Sequence, residues 1–168
     1  SVVGKYYYRT LNISDPTYGL TVFTTNVVYC IFDRIQVTIT TPQERVEVET
    51  TAPLTWTGKY EYDGATFAGK VTLSEELMKS SIGRFNYTVK NIHDPLYGLK
   101  TFVSNTVDVV FDRILIDLQT ETLIPGSIKP IVRLKYQFDG TPVVDAKVVM
   151  DSTEATNLGD GSYITSIS

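Results

Sequence analysis

Apolar and polar side chains alternate over short stretches along the whole chain. Trp56, Tyr60 and Tyr62 share one parity, with Thr57, Lys59 and Glu61 on the other, and Val132, Leu134, Tyr136 and Phe138 repeat the arrangement. Phe85, Tyr87 and Val89 alternate in the same way, as do Tyr163, Thr165 and Ile167. A period of two is what a strand buried on one face requires. Turn residues separate the stretches: Asp63-Gly64, Asp139-Gly140 and Asp94-Pro95-Leu96-Tyr97-Gly98, in which proline fixes φ and glycine accepts a positive one. Val107, Val109 and Phe111 keep one parity, whereas Ile114, Ile116 and Leu118 keep the other. The pattern therefore slips by one residue at Asp112-Arg113, and likewise at Asp33-Arg34. A slip reverses every side chain and predicts a bulge or tight turn at each point. Only Ser74–Ser81 suits a helical turn.

The alternation is itself repeated. Gly4-Lys5-Tyr6-Tyr7-Tyr8 and the following Asp15-Pro16-Thr17-Tyr18-Gly19-Leu20 return as Gly83-Arg84-Phe85-Asn86-Tyr87 and Asp94-Pro95-Leu96-Tyr97-Gly98-Leu99, each residue 79 positions on. Phe23, Asn26 and Val28 return as Phe102, Asn105 and Val107, and Phe32-Asp33-Arg34-Ile35 as Phe111-Asp112-Arg113-Ile114. Gly58–Gly64 matches Leu134–Gly140 at a spacing of 76, and Gly161–Ile167 matches Gly83–Val89. The unit is about 79 residues long and the chain is cut out of phase with it. Residues 1–41 read as the second half of a unit, 45–120 as a whole unit, and 124–168 as the first half of another. Six or seven short strands per unit, divided by turns, predict an all-β fold of immunoglobulin-like antiparallel sandwiches.

Two segments carry a resemblance. Residues 62–73 (YDGATFAGKVTL) and, more closely, 138–150 (FDGTPVVDAKVVM) resemble the Y-D-G-x-P-V-x-G-A-x-V-x-L segment of prealbumin-like and Ig-like repeats. Such repeats occur in secreted surface, S-layer and adhesin proteins of archaea and bacteria. The resemblance implies a sandwich fold and an extracellular or cell-surface location, and it does not by itself imply an activity.

Composition narrows the chemistry. Fifteen Lys and Arg against nineteen Asp and Glu give a net charge of −4 with no basic cluster, which argues against a nucleic-acid partner. The longest apolar run, Val27–Phe32, is far shorter than the roughly 20 residues of a membrane-spanning helix. One cysteine permits no disulfide within the chain, and one histidine leaves no His-His metal motif. No nucleophile–base pair or phosphate loop can be assembled, so the chain reads as a non-enzyme without a required cofactor.

The remaining candidates concern surfaces. Asn12 and Asn86 head N-glycosylation sequons, Asn-Ile-Ser and Asn-Tyr-Thr. Asp15, Asp94, Asp139 and Asp160 lie at turns, where carboxylates bond their own backbone but also make weak calcium candidates. Cys30 sits on the apolar parity and is expected as a small buried hydrophobe. The split unit directs attention to the two ends, because half a sandwich leaves a core face and backbone groups uncovered. They can be completed within one chain or by a neighbouring copy. The expectation is a homopolymer, an extracellular filament, tube or array built by strand complementation. Tyr6, Tyr8, Val28, Cys30, Phe32, Ile35, Val37, Ile39, Tyr163 and Ile167 would form the contact between subunits. The alternative is a two-domain stalk or adhesin module that binds carbohydrate or a cell surface.

Overall fold

The computed structural model describes residues 2–124 and 127–165, and these form strands, turns and loops with no helix. The strands are β1 (Gly4–Tyr8), β2 (Val28–Phe32), β3 (Ile35–Thr40), β4 (Arg45–Glu47), β5 (Thr55–Tyr60), β6 (Lys70–Leu73), β7 (Gly83–Tyr87), β8 (Val89–His93), β9 (Phe102–Ser104), β10 (Val107–Asp112), β11 (Ile114–Ile124), β12 (Ser127–Tyr136), β13 (Val149–Met150), β14 (Thr153–Glu154), β15 (Thr156–Asn157) and β16 (Ser162–Ile164). The all-β character with several small sheets is compatible with sandwich packing. Ser74–Ser81 is no helical turn. It is a run of bends with one isolated bridge, Met78 opposite Thr51, and Ala52 donates its N–H to the Leu77 carbonyl and Glu49 to that of Lys79.

The chain divides into two compact units, Ser1–Thr40 with Leu54–Ser74 and Tyr87–Val107, and Thr41–Pro53 with Glu75–Asn86 and Asp108–Ser168. In the first unit β3 lies between β5 and β9. The β3–β5 pair is antiparallel, Ile35 opposite Tyr60 through Thr40 opposite Thr55. The β3–β9 pair is parallel, Ile35 opposite Phe102 and Val37 opposite Ser104. Parallel neighbours need a long crossover, so this sheet is mixed, with one antiparallel and one parallel pair. Antiparallel β6 and β8 form a further sheet of this unit. Ile35, Val37 and Ile39 on alternate positions of β3 meet Tyr60, Phe67, Val89 and Ile92 in a buried cluster, with Trp56, Leu99 and Phe102 packed against it.

Polar side chains lock this core. Asn105, just past β9, accepts the Ile39 N–H at 2.7 Å and donates to the Ile39 carbonyl at 2.8 Å, so one amide extends the ladder by a residue. The buried Asp94 carboxylate takes the Tyr60 hydroxyl at 2.8 Å and the N–H groups of Leu96 and Leu99 at 3.1 Å. Burial pushes this carboxyl up, but the Tyr60 hydroxyl and the backbone donors outweigh it and hold the group below its ordinary value. Burial and the same bond push the Tyr60 phenol up to about 12.

The second unit holds the sheet β4-β10-β7, its β7 part ending at Asn86 and its β10 part beginning at Asp108, with β4 parallel to β10. It also holds a four-stranded sheet of order β11-β12-β16-β15. The β11–β12 hairpin keeps register from Ile114 opposite Tyr136 to Thr122 opposite Ile128. Val132, Leu134, Val143 and Tyr163 form its buried cluster. Residues 161–165 do not take the position of β7, which neighbours β10. β16 pairs instead with β12, Val132 opposite Tyr163.

The two units share one device at the slips in parity. Asp33 accepts the Arg34 N–H at 2.7 Å and the Tyr62 N–H at 2.9 Å. Asp112 accepts the Arg113 N–H at 2.8 Å and the Phe138 N–H at 2.9 Å. Each carboxylate satisfies the backbone where one strand breaks from the next.

Two measurements check this packing. A Cβ on Gly69 would stand 2.1 Å from the His93 carbonyl oxygen and 2.3 Å from Phe67 Cζ. Gly69→Ala is expected to lower stability in urea denaturation by about 2 kcal/mol or more, as overpacking does. Tyr60→Phe is expected to cost about 1–2 kcal/mol at pH 7 by removing a hydrogen bond to a buried carboxylate. A depressed carboxyl stabilises the fold above its unfolded pKa of about 3.9, and that contribution fades as pH falls through the folded value. The gap between wild type and Tyr60→Phe should therefore narrow between pH 7 and pH 3. An unchanged gap would show that Asp94 does not carry it.

Candidate interaction surfaces

The first surface is the ribbon of β1 and β2, paired antiparallel from Gly4 opposite Phe32 to Tyr8 opposite Val28. Facing residues of a ladder share a side, so Tyr6, Tyr8, Val28, Cys30 and Phe32 make one apolar face, with the Tyr6 and Phe32 rings edge to face at 5.4 Å. Every one of these five side chains is exposed. The residues 79 positions on are Phe85, Tyr87, Val107, Val109 and Phe111, and they are buried or half-buried. The contrast is sharpest at Phe32, 44% exposed, against Phe111 at 0%. Cys30 is thus an exposed free thiol and not the buried residue expected, because the face that would cover it is missing. On the opposite side Lys5 Nζ stands 3.8 Å from the Tyr29 ring centroid, with Tyr7 beside it.

Between the two strands, residues 9–27 carry a turn and a second set of uncovered apolar groups, Ile13, Leu20 and Val22. Asp15 accepts the N–H groups of Thr17 and Tyr18 at 2.9 and 3.3 Å and its carbonyl takes the Gly19 N–H. Gly19 has φ +70° and Gly98 +68°, so the Asp-Pro turns at Asp15 and Asp94 match in their tightest residue. Asp94 has a tyrosine hydroxyl and a core around it; among the described residues Asp15 has neither.

The second surface is β11. Among the described residues it is an edge strand, bonded to β12 on one side only. Ile114, Ile116 and Leu118 stand 79 positions after Ile35, Val37 and Ile39. Those three are 0–1% exposed, whereas Ile116 is 71% and Leu118 64% exposed. Tyr136, opposite Ile114 as Tyr60 is opposite Ile35, is half-buried under the Arg45 guanidinium, 4.0 Å from its ring centroid.

The contact residues expected from sequence thus divide. Tyr6, Tyr8, Val28, Cys30 and Phe32 are exposed and share one face. Ile35, Val37 and Ile39 are not available to a neighbour, since they fill the chain's own core. Tyr163 is likewise sealed: its hydroxyl donates to the Val143 carbonyl at 2.7 Å and accepts the Ala146 N–H at 3.1 Å. Ile167 lies outside the described residues. Ile114, Ile116 and Leu118 were not singled out as contacts, although their spacing from the β3 residues marks them as a core face.

The acidic candidates are used by the backbone. Asp139 accepts the Thr141 N–H at 3.0 Å and binds Arg45, and chiefly the guanidinium holds its carboxyl down to about 2. Asp160 accepts the Ser162 N–H at 2.9 Å, which lowers its carboxyl as well. Among the described residues no three His, Cys, Asp or Glu side chains converge on a metal-sized space, so Asp15, Asp94, Asp139 and Asp160 are not brought together. Asn12 and Asn86 are exposed, and the Asn86 amide donates to Asp108. Among the described residues no helix is long and apolar enough to cross a membrane. No family model, no curated protein and no solved structure matches this chain.

Proposed function

We propose that this chain is a structural subunit of an extracellular filament, tube or surface array that grows head-to-tail by strand complementation between Ig-like units. One observation carries the reading. The exposed face of β11 repeats residues that are buried elsewhere in the same chain, and the segment between β1 and β2 repeats the groups that cover them there. Ile35, Val37 and Ile39 are covered by Ile92, Leu99 and Phe102. The residues 79 positions before these covering groups are Ile13, Leu20 and Phe23, and the residues 79 positions after the covered ones are Ile114, Ile116 and Leu118. A second copy can therefore bring the first set to the second. Such a contact joins two different surfaces, so it propagates unless a ring closes.

The magnitude is adequate. Covering these six side chains at about 1.5–3 kcal/mol each gives a gross term on the order of 10 kcal/mol, before the cost of association. The extracellular part of the reading rests on the resemblance of residues 62–73 and 138–150 to secreted surface repeats. The exposed sequon residues Asn12 and Asn86 are consistent with it.

The test uses one variant per surface. Leu20→Glu spoils the donated set and Ile116→Asp spoils β11, and both side chains are exposed, so folding should change by only about 0.5 kcal/mol. Wild type should elongate with concentration in light scattering and electron microscopy. Each variant alone should lose elongation, and their equimolar mixture should stop at a dimer in analytical ultracentrifugation. A wild type that stays monomeric at high concentration, with both surfaces protected from hydrogen exchange, would mean closure within one chain and would overturn the polymer.

A further inference from the structure

We infer that the contact has a defined parallel register: Phe23, Thr24 and Thr25 of one copy add as a strand to the open edge of β11 in the next, Phe23 opposite Ile114 and Thr25 opposite Ile116. This rests on the head-to-tail reading above and specifies its site. The template is the ladder of the first unit, where Phe102 lies opposite Ile35 and Ser104 opposite Val37 in parallel. All six partners have counterparts at the same spacing of 79. In the described chain, residues 23–25 pair with nothing in a strand, and β11 has no ladder partner on its outer edge. An unpaired edge beside an exposed apolar face is the surface that accepts an added strand.

Two polar groups fix the register where apolar contact alone would allow slippage. Asn26, exposed here, stands where Asn105 clamps the backbone of Ile39, so its amide takes the N–H and carbonyl of Leu118. Asp15 stands where Asp94 receives the Tyr60 hydroxyl, so its carboxylate receives that of Tyr136. The donors and acceptors are complementary in kind: a carboxylate already holding two backbone N–H groups meets a phenol, and a side-chain amide meets one backbone donor and one acceptor. A one-residue slip would break both and turn Phe23 away from the core.

Cross-linking reads the register directly. In a Cys30→Ser background, Thr24→Cys with Leu115→Cys places two thiols opposite each other across the ladder, within disulfide reach. Thr24→Cys with Asp117→Cys displaces them by two residues. Oxidation after assembly should give ladders of covalent multimers for the first pair and little for the second. Tyr136→Phe and Asp15→Ala should each raise the concentration needed for elongation by about tenfold, and the double variant by little more than either, as coupled partners do. If elongation persists but the 24/115 pair fails to cross-link while 24/117 succeeds, or neither polar variant has an effect, the register is wrong and the head-to-tail reading stands. If wild type does not elongate, both fall.

Discussion

The carboxylate at each slip in parity is the joint on which the arrangement depends. Asp33 ties the break between β2 and β3 to the backbone of Tyr62, and Asp112 ties the break between β10 and β11 to that of Phe138. Without such a joint a continuous strand would present one apolar face throughout its length. With it, Val28, Cys30 and Phe32 belong to one face while Ile35, Val37 and Ile39 belong to another. A single run of chain therefore turns its apolar side chains from one sheet face to another. The buried Asp112 also receives Arg45 at 2.9 Å, which sits over the Tyr136 ring.

Burial of an apolar sheet face is what makes the two copies of the pattern unequal. The sequence places the same residue types at Phe32 and Phe111 and at Val37 and Ile116, and local conformation follows sequence in both. Coverage depends on segments far along the chain. Leu99 and Phe102 reach back to β3 across some sixty residues. The corresponding groups for β11, Leu20 and Phe23, are left among exposed neighbours.

Much of the local structure was legible in the residues. Alternation marked β3, β5, β7, β10, β11 and β12, and Asp-Gly and Asp-Pro turns fell where the backbone needs positive φ, at Gly64, Gly98 and Gly140. Strand partners were not legible. The parallel ladder of β3 with β9 depends on a crossover whose path no local pattern encodes. The same limit explains Tyr163, whose parity matched Phe85 but whose strand joins β12 because residues 142–160 return it to that edge. It also explains Cys30, whose apolar parity was read correctly while its cover was not on offer. For the candidate surfaces, the ribbon residues were readable, and β11 could have been found by comparing each residue with its partner 79 positions away.

The uncovered ribbon has a consequence for how the protein survives in solution. Val27-Val28-Tyr29-Cys30-Ile31-Phe32 is an uncharged run of β-favouring residues without proline, the composition that stacks into dry cross-β fibrils when exposed. Such runs are tolerated when charges flank them as gatekeepers. Asp33 and Arg34 follow it at once, and Lys5 faces Ile31 across the ladder. Stacking identical copies in register would pile like charges on one another at each of these positions. The residues that form the joint thus also oppose amyloid growth.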